Sequence, residues 1–208
     1  ILTHIRHSEK VFIMKRLLLI LILTFSLQSL TNADDIKDFE IEGISLGDSL
    51  LDHFSEKEIK KFGIEHYPDK EFSVLSVFSN RFKNYDAMQF DIKKNDKTYY
   101  LHGVIGIILY ENNLKDCYIK MNEIIKDLSL VLVDYHKEDV GRLANPVGAD
   151  PYGGTYDLFL FKKNQSNKSD RVQVSCNDWS KKSNIPDSVK VEIYSKEFAY
   201  YVDYIAFN

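Results

Sequence analysis

No hydrophobic run in the chain is long enough to cross a membrane as a helix. The longest nearly unbroken run, Leu17–Leu27, has 11 residues and would extend about 16 Å as a helix, about half of a ~30 Å hydrocarbon core. It is apolar on every side, which argues against a buried core helix as well. Lys15 and Arg16 precede it, and the small residues Thr31 and Ala33 follow it. This order of basic, apolar and small residues predicts a secretory signal peptide.

The signal peptide is predicted to span 14–33 and to be cleaved after Ala33, which would place the protein outside the cytoplasm. Residues 1–13 precede Met14. They are interpreted as an overhang upstream of the true start, with an extended first region of the leader as the alternative. We expect residues 34–208 to form a single domain, with two tandem halves as a further hypothesis. No stable membrane span is expected after cleavage.

Basic residues are too few and too dispersed to suggest nucleic acid binding. The whole chain has 27 Lys and Arg against 31 Asp and Glu. Residues 1–33 hold four of the basic and one of the acidic residues, which leaves 23 and 30 after Ala33 and a net charge of −7. A surface of this sign repels a phosphate backbone and favours solubility. No nucleic acid partner is therefore expected.

Histidine is also scarce and is not clustered. After Ala33 no two histidines have the spacing of a metal site; they are His53, His66, His102 and His136. Ser49 and Asp52 lie close to His53 in sequence, but catalytic triads are assembled from distant segments. Segment 164–170 alternates oxygen-bearing side chains but lacks the central glycine and final acid of a calcium loop. The sequence therefore assigns no catalytic residue, no metal ligand and no cofactor.

Only two cysteines are present, Cys117 and Cys176. Cys117 shares the apolar stripe of a predicted helix with Met121, and Cys176 alternates with Val174 on one face of a predicted strand. Both sulfur atoms are expected to face the core, and in an oxidising compartment we predict a disulfide between them. Closing a loop of ~60 residues would add about 3–4 kcal/mol to the stability. Two separate buried thiols are the alternative.

The apolar patterns predict an α+β fold with a mainly antiparallel sheet. A first strand is predicted over Phe39–Leu46, with a bulge at Gly43. Capping boxes that begin at Ser49 and Ser55 predict two short N-terminal helices. Gly63 is interpreted as the residue that ends the second of them.

The rest of the chain is predicted to contain six strands, one long helix and a C-terminal helix. The strands are expected over Phe72–Phe78, Met88–Ile92, Thr98–Tyr110, Tyr156–Phe161, Arg171–Cys176 and Val189–Ile193. The long helix is expected over 113–130, with Asn112 or Asn113 as its N-cap, and is predicted to pack across the sheet. Ser195 is predicted to cap the C-terminal helix. Segment 143–155, with two prolines and three glycines, is predicted to be a surface loop.

Several blocks of sequence resemble those of known exported proteins. DDIKDFEIEGISLGDSLLDHFSEKEI, GVIGIILYENNLKDCYIKMNEI and the late CNDWS and VKVEIYSKEF resemble small exported proteins of marine alphaproteobacteria of the Pelagibacter type. This resemblance implies a bacterial envelope protein, periplasmic or secreted, and adds no catalytic residue. FEIEGISLGDSLLDHFS is also loosely similar to the opening of β-lactamase-inhibitor and outer-membrane-assembly-lipoprotein modules, which implies two short helices followed by an antiparallel sheet. The chain departs from those modules at Asp48, where they have Met, and lacks their lipid-bearing cysteine.

Three hypotheses about function follow from these patterns. The leading one is a non-enzymatic binding or protein-interaction module of the cell envelope, with an unknown envelope protein or a small ligand as its partner. A binding module of this kind requires an exposed aromatic patch or groove. One alternative is a hydrolase with a non-local active site, which requires a histidine or carboxylate hydrogen-bonded to a second polar group in a pocket. The other is an inhibitor or assembly factor that uses an exposed sheet face.

Overall fold

Strands with alternating side chains pair into an eight-stranded antiparallel sheet in the computed structural model. The structure describes residues 36–111, 113–146, 150–164 and 169–207. The strands are β1 (Gly63–His66), β2 (Phe72–Phe78), β3 (Ala87–Lys93), β4 (Leu101–Tyr110), β5 (His136–Ala144), β6 (Thr155–Lys162), β7 (Arg171–Asp178) and β8 (Asp187–Tyr194). The predicted fold class, α+β with a mainly antiparallel sheet, is confirmed. The predicted signal peptide and its cleavage after Ala33 lie outside the described residues.

Three helices and two short 3-10 turns accompany the sheet in the described ranges. They are η1 (Ile36–Asp38), η2 (Leu50–Asp52), α1 (Glu56–Ile59), α2 (Leu114–Val131) and α3 (Lys196–Tyr204). The predicted capping boxes are present at Ser49 and Ser55. Asn113 caps α2 and Ser195 caps α3, each through a side-chain oxygen that accepts a backbone N–H. These caps satisfy N–H groups that the first turn of a helix leaves unpaired.

The sheet consists of two four-stranded meanders, which are joined by the pairing of one strand from each. The order across it is β1-β2-β3-β4-β8-β7-β6-β5, so the last strand of each half lies at the centre. β4 and β8 pair from Gly103 opposite Tyr194 to Tyr110 opposite Asp187. The first half (β1–β4) follows η2 and α1, and the second half (β5–β8) follows α2. This order is compatible with the hypothesis of tandem halves, which stays a prediction.

One face of the sheet, here the first face, carries the larger hydrophobic core. α2 packs on β4, β7 and β8, and the sulfur atoms of Cys117 and Cys176 are joined at 2.07 Å, with Cα atoms 5.9 Å apart. Both cysteines are fully buried. Beside α2, apolar side chains of the segment 36–59 join the same cluster as Leu75 and Phe90. The predicted pairing of helix and sheet through the two cysteines is therefore present in the fold.

The opposite face, here the second face, carries a smaller core under α3. The ring of Phe72 on β2 lies 5.1 Å from the ring of Phe198 and 4.7 Å from that of Tyr201. Ile105 on β4 and Tyr194 on β8 belong to the same buried cluster. The C-terminal helix thus covers the junction of the two halves.

The predicted strand over Phe39–Leu46 is wrong. Glu42 and Gly43 both have positive φ, +55° and +78°, and Ile41 and Ile44 exchange two backbone hydrogen bonds of 3.0 and 3.1 Å across them. Positive φ at both central residues is the pattern of a type I′ turn. Gly43 therefore lies in a tight turn that reverses the chain, and the predicted bulge at this glycine is wrong.

Two strands at the sheet edges were missed, and one strand was predicted too long. Gly63 begins β1 and does not end a helix, because Lys60 is the C-cap of α1. The predicted loop 143–155 is too long at both ends, because Leu143 and Ala144 belong to β5 and Thr155 begins β6. Both edge strands are largely exposed and lack apolar alternation, the signal on which strand prediction depends. The strand predicted from Thr98 begins at Leu101, because Tyr99 has a φ of +50°.

No helix in the described ranges is long and apolar enough to cross a membrane.

Candidate functional site

His102 is the described histidine closest to the arrangement of a hydrolase. Its Nδ1 lies 3.5 Å from Ser195 Oγ and 3.5 Å from Glu197 Oε2. A nucleophile–histidine–acid relay needs its two partners on opposite ring nitrogens, whereas these two lie on the same nitrogen. Ser195 Oγ also accepts the Phe198 N–H as the cap of α3. Burial lowers the pKa of His102, and the group is interpreted as a structural contact between β4 and α3.

The other three described histidines lie apart from one another, and two of them have separate side-chain partners. His53 Nε2 lies 2.9 Å from Asp48 Oδ2, and His66 Nδ1 lies 2.7 Å from Ser73 Oγ. His136 is exposed on the edge strand β5. Within the described ranges no group of three or more His, Cys, Asp or Glu side chains has a geometry that would hold a metal ion.

The second face holds two buried carboxyl groups, Asp91 and Glu192, that no sequence pattern indicates. Asp91 is fully buried, and Tyr67 donates a hydrogen bond of 3.0 Å to its Oδ1. Burial raises the pKa of Asp91 to about 8, the nearby Glu192 acts in the same direction, and the Tyr67 hydrogen bond opposes them. The carboxyl group lies against Gly103, where an added Cβ would be 2.3 Å from Oδ2.

Glu192 is surrounded by donors. Gln173 Nε2 donates at 2.9 Å to Oε2, the hydroxyl of Tyr194 donates to the same oxygen, and Ser175 Oγ donates at 3.0 Å to Oε1. A buried carboxylate with three donors is the expected outcome when a charge must be solvated by the protein. We therefore interpret this acid as part of the second-face packing.

A preformed depression lies where β2 ends and the chain returns to β3. It has a volume of about 590 Å³ and is lined by the segment 78–86 without Arg81, together with Ile108 of β4. We call it the loop cleft. Four lining residues are apolar or aromatic, namely Phe78, Phe82, Tyr85 and Ile108, and five are polar or charged, namely Ser79, Asn80, Lys83, Asn84 and Asp86. Ligand sites are concave and combine apolar side chains with placed polar groups.

The backbone of the loop cleft is held by the carboxylate of Glu42. The Lys83 N–H donates to both carboxylate oxygens at 3.1 Å, and the Asn84 N–H donates at 2.8 Å. The Asn84 side-chain amide donates to the same carboxylate at 3.1 Å. Because Glu42 lies in the tight turn of 41–44, an element distant in sequence fixes the shape of the loop.

The floor of the loop cleft is fixed by β4. The ring of Tyr85 covers Gly106, where an added Cβ would be 2.5 Å from the ring, and burial raises the pKa of the Tyr85 hydroxyl to about 12. Asp86 continues the strand ladder with its side chain, since its Oδ2 accepts the Leu109 N–H at 2.8 Å. A large residue in place of Gly106 would displace the tyrosine and deform the floor.

Phe78 is the most exposed aromatic side chain of the loop cleft. It is 72% exposed, against 73% for Leu130, the most exposed large apolar residue on α2. A single exposed apolar side chain is ordinary on a protein surface. Its position beside a preformed cleft distinguishes Phe78 from Leu130. The loop cleft offers apolar contact and hydrogen bonding, and its lining contains no nucleophile paired with a base.

No family model, curated protein or solved structure matches the chain.

Proposed function

We propose that the protein is exported to the bacterial periplasm and acts there as a non-enzymatic binding or protein-interaction module of the envelope. The partner, an envelope protein or a small ligand, binds in the loop cleft. The observation that carries this proposal is a preformed cleft with an exposed aromatic side chain, Phe78, at its edge. Preformed sites bind more tightly because less conformational freedom is lost on binding.

Three features support the periplasm as the compartment. Residues 14–33 have the composition of a signal peptide. Cys117 and Cys176 are joined in the core, and structural disulfides persist in oxidising compartments. The negative charge after Ala33 keeps an exported protein soluble.

Two features favour binding over the alternative functions: the arrangement of the polar partners around His102 and the elements that cover the two sheet faces. A hydrolytic relay is not supported at His102, because Ser195 and Glu197 share one ring nitrogen. An inhibitor that uses a bare sheet face is less favoured, because α2 and segment 36–59 cover the first face. α3 covers the centre of the second face.

The proposal is tested by capture from periplasmic extract with the exported protein as bait. Phe78→Asp places a charge at the edge of the cleft, and Leu130→Asp places the same charge at an equally exposed site on α2. We expect Phe78→Asp to lose at least ~10-fold of the captured partner, since desolvating a charge opposes apolar binding, and Leu130→Asp to retain it. If the partner is a small ligand, adding the small-molecule fraction of the extract should raise the melting temperature of the wild-type protein but not that of Phe78→Asp.

Equal capture by both variants, or equal loss by both, would contradict the assignment of the cleft. The same preparation tests export, because the recovered bait should begin at Asp34. A chain that still begins near Met14 would contradict signal cleavage.

A further inference from the structure

Tyr67 connects α3 to the buried carboxyl group of Asp91. Its ring centroid lies 5.7 Å from that of Phe198, 5.5 Å from that of Tyr201 and 6.0 Å from that of Phe207. At the other end of the same side chain, its hydroxyl donates to Asp91 Oδ1 at 3.0 Å. The packing of α3 on the sheet and the hydrogen bonding of Asp91 therefore share one side chain.

The second oxygen of Asp91 has no hydrogen-bond partner among the described residues. Oδ2 is buried and lies against the backbone of Gly103. A neutral carboxyl group tolerates such a position at moderate cost, whereas a carboxylate that is buried and incompletely bonded is strongly unfavourable. The charge state of Asp91 therefore affects how well the interface under α3 is held together.

The groups that face Asp91 lie on the loop before β2 and on β8. Glu192 is a like charge, Lys190 is an opposite charge, and Tyr67 donates the hydrogen bond. Tyr194, whose hydroxyl donates to Glu192, also faces Asp91, and Tyr201 on α3 faces Tyr67. The pKa values of Tyr67 and Tyr194 are raised well above 10 by burial. Both tyrosines therefore stay neutral over the pH range in which Asp91 changes its charge.

We propose that Asp91 is the proton-controlled element of a latch that holds α3 on the second face of the sheet. With the carboxyl group protonated, α3 and Tyr67 are closed over it. Ionisation drives them to open, so that water reaches the carboxylate. Two ion pairs restrain the movement: Arg171 is bonded to Asp203 at 2.7 and 2.9 Å, and Lys93 to Glu197 at 2.7 Å. The latch thus changes the fraction of open molecules without unfolding the sheet.

The sign of the pH dependence follows from the two forms of the latch. In the closed form the pKa of Asp91 is raised from 3.8 to about 8, and in the open form it returns towards its ordinary value. Between these values the closed form holds a proton that the open form has released. The open fraction therefore rises with pH by at most about tenfold per unit up to pH ~8 and is constant above it. This plateau separates the latch from alkaline unfolding, in which opening continues to increase as tyrosines ionise.

Hydrogen exchange of the α3 amides measures the open fraction directly. Rates are recorded for the full exported chain at pH 6, 7, 8 and 9 and divided by the intrinsic rates at each pH. We expect the protection of α3 to fall on the order of 100-fold from pH 6 to pH 8 and then to level off. The amides of α2, on the opposite face, should change far less and serve as the internal reference.

Asp91→Asn keeps the shape of the side chain and removes the titration. We expect the protection of its α3 amides to be independent of pH over the same range. Asp127→Asn, which neutralises an exposed carboxylate on α2, should keep the wild-type profile. Wild-type protection that is flat from pH 6 to 8, or an unchanged fall in Asp91→Asn, would overturn the latch.

Tyr67→Phe keeps the proposal testable if Asp91→Asn does not fold. The Tyr67 hydrogen bond lowers the pKa of Asp91, so its loss should move the start of the plateau to higher pH. A plateau at the wild-type pH in this variant would show that another group controls the exchange of α3.

Discussion

The two halves of the sheet are covered on the first face in different ways. α2, with 18 residues and a disulfide to β7, covers the second half. The first half is covered by 36–59, which contains only two 3-10 turns and the four-residue helix α1. Elements this short are not stable alone. They are held by backbone hydrogen bonds to the sheet margin, such as Gly47 N to Leu101 O at 3.1 Å and Leu50 N to Tyr99 O at 3.0 Å.

The two covers of the first face, α2 and segment 36–59, differ in the room that they leave for a site. A long amphipathic helix fills the space over its strands with a continuous apolar stripe. A cover made of turns contributes isolated side chains, and the carboxylate of Glu42 reaches from it to the 78–86 loop. The loop cleft therefore lies in the half that is covered by turns.

Replacing a buried core phenylalanine is expected to have the largest effect on stability, and it tests whether the two halves unfold as one unit. Phe90 on β3 and Phe161 on β6 are fully buried in the same core cluster. Replacing either with alanine should cost about 3–5 kcal/mol, since a cavity remains where the ring was. Because the core is shared, each variant should unfold in urea in a single transition with an unchanged slope. A second transition in the Phe90→Ala variant alone would show that the first half unfolds independently.

Removing the disulfide is expected to have the next largest effect. The paired cysteines are 59 positions apart, and opening a loop of that length should lower the free energy of unfolding by about 3–4 kcal/mol. Wild type under reducing conditions and the Cys117→Ser/Cys176→Ser variant should agree in urea titrations. Because the two halves are expected to unfold as one unit, native-state hydrogen exchange should show the same loss of protection in the slowest-exchanging amides of both halves. A loss confined to α2 and β7 would show that the second half opens independently of the first.

The elements predicted correctly are those whose signal is local. β2 was predicted with its observed bounds, Phe72–Phe78, because apolar and β-branched residues occur together there. α2 was predicted from the spacing of residues such as Cys117 and Met121, and its start from Asn113. The pairing of Cys117 with Cys176 was predicted because both residues lie on apolar faces and no third cysteine competes.

The edge strands and the candidate site have no comparable local signal. β5 pairs through its backbone and carries five charged or histidine side chains in 136–142, so its sequence is typical of a surface loop. The loop cleft depends on Glu42 and Asn84, 42 positions apart. Glu192 on β8 acts on Asp91 on β3 only because β4 and β8 bring the two halves together. Such contacts follow from topology, which the sequence patterns did not determine.

The smallest expected effect on stability concerns Glu42, where the difference between the two halves is most local. Glu42→Gln keeps the length of the side chain and its place in the turn of 41–44 but removes the charge that accepts the N–H groups of Lys83 and Asn84. Because these hydrogen bonds lie at the surface, their weakening should cost about 1 kcal/mol or less in urea titrations. Capture of the periplasmic partner should fall more steeply, about tenfold, since a loosened loop must be ordered again on binding.

Glu40→Gln, at an exposed position on the same segment, should change neither the stability nor the capture. If capture by Glu42→Gln falls no more than its stability predicts, or if Glu40→Gln has the same effect, the cleft does not depend on this anchor and the contrast between the two covers has no functional meaning.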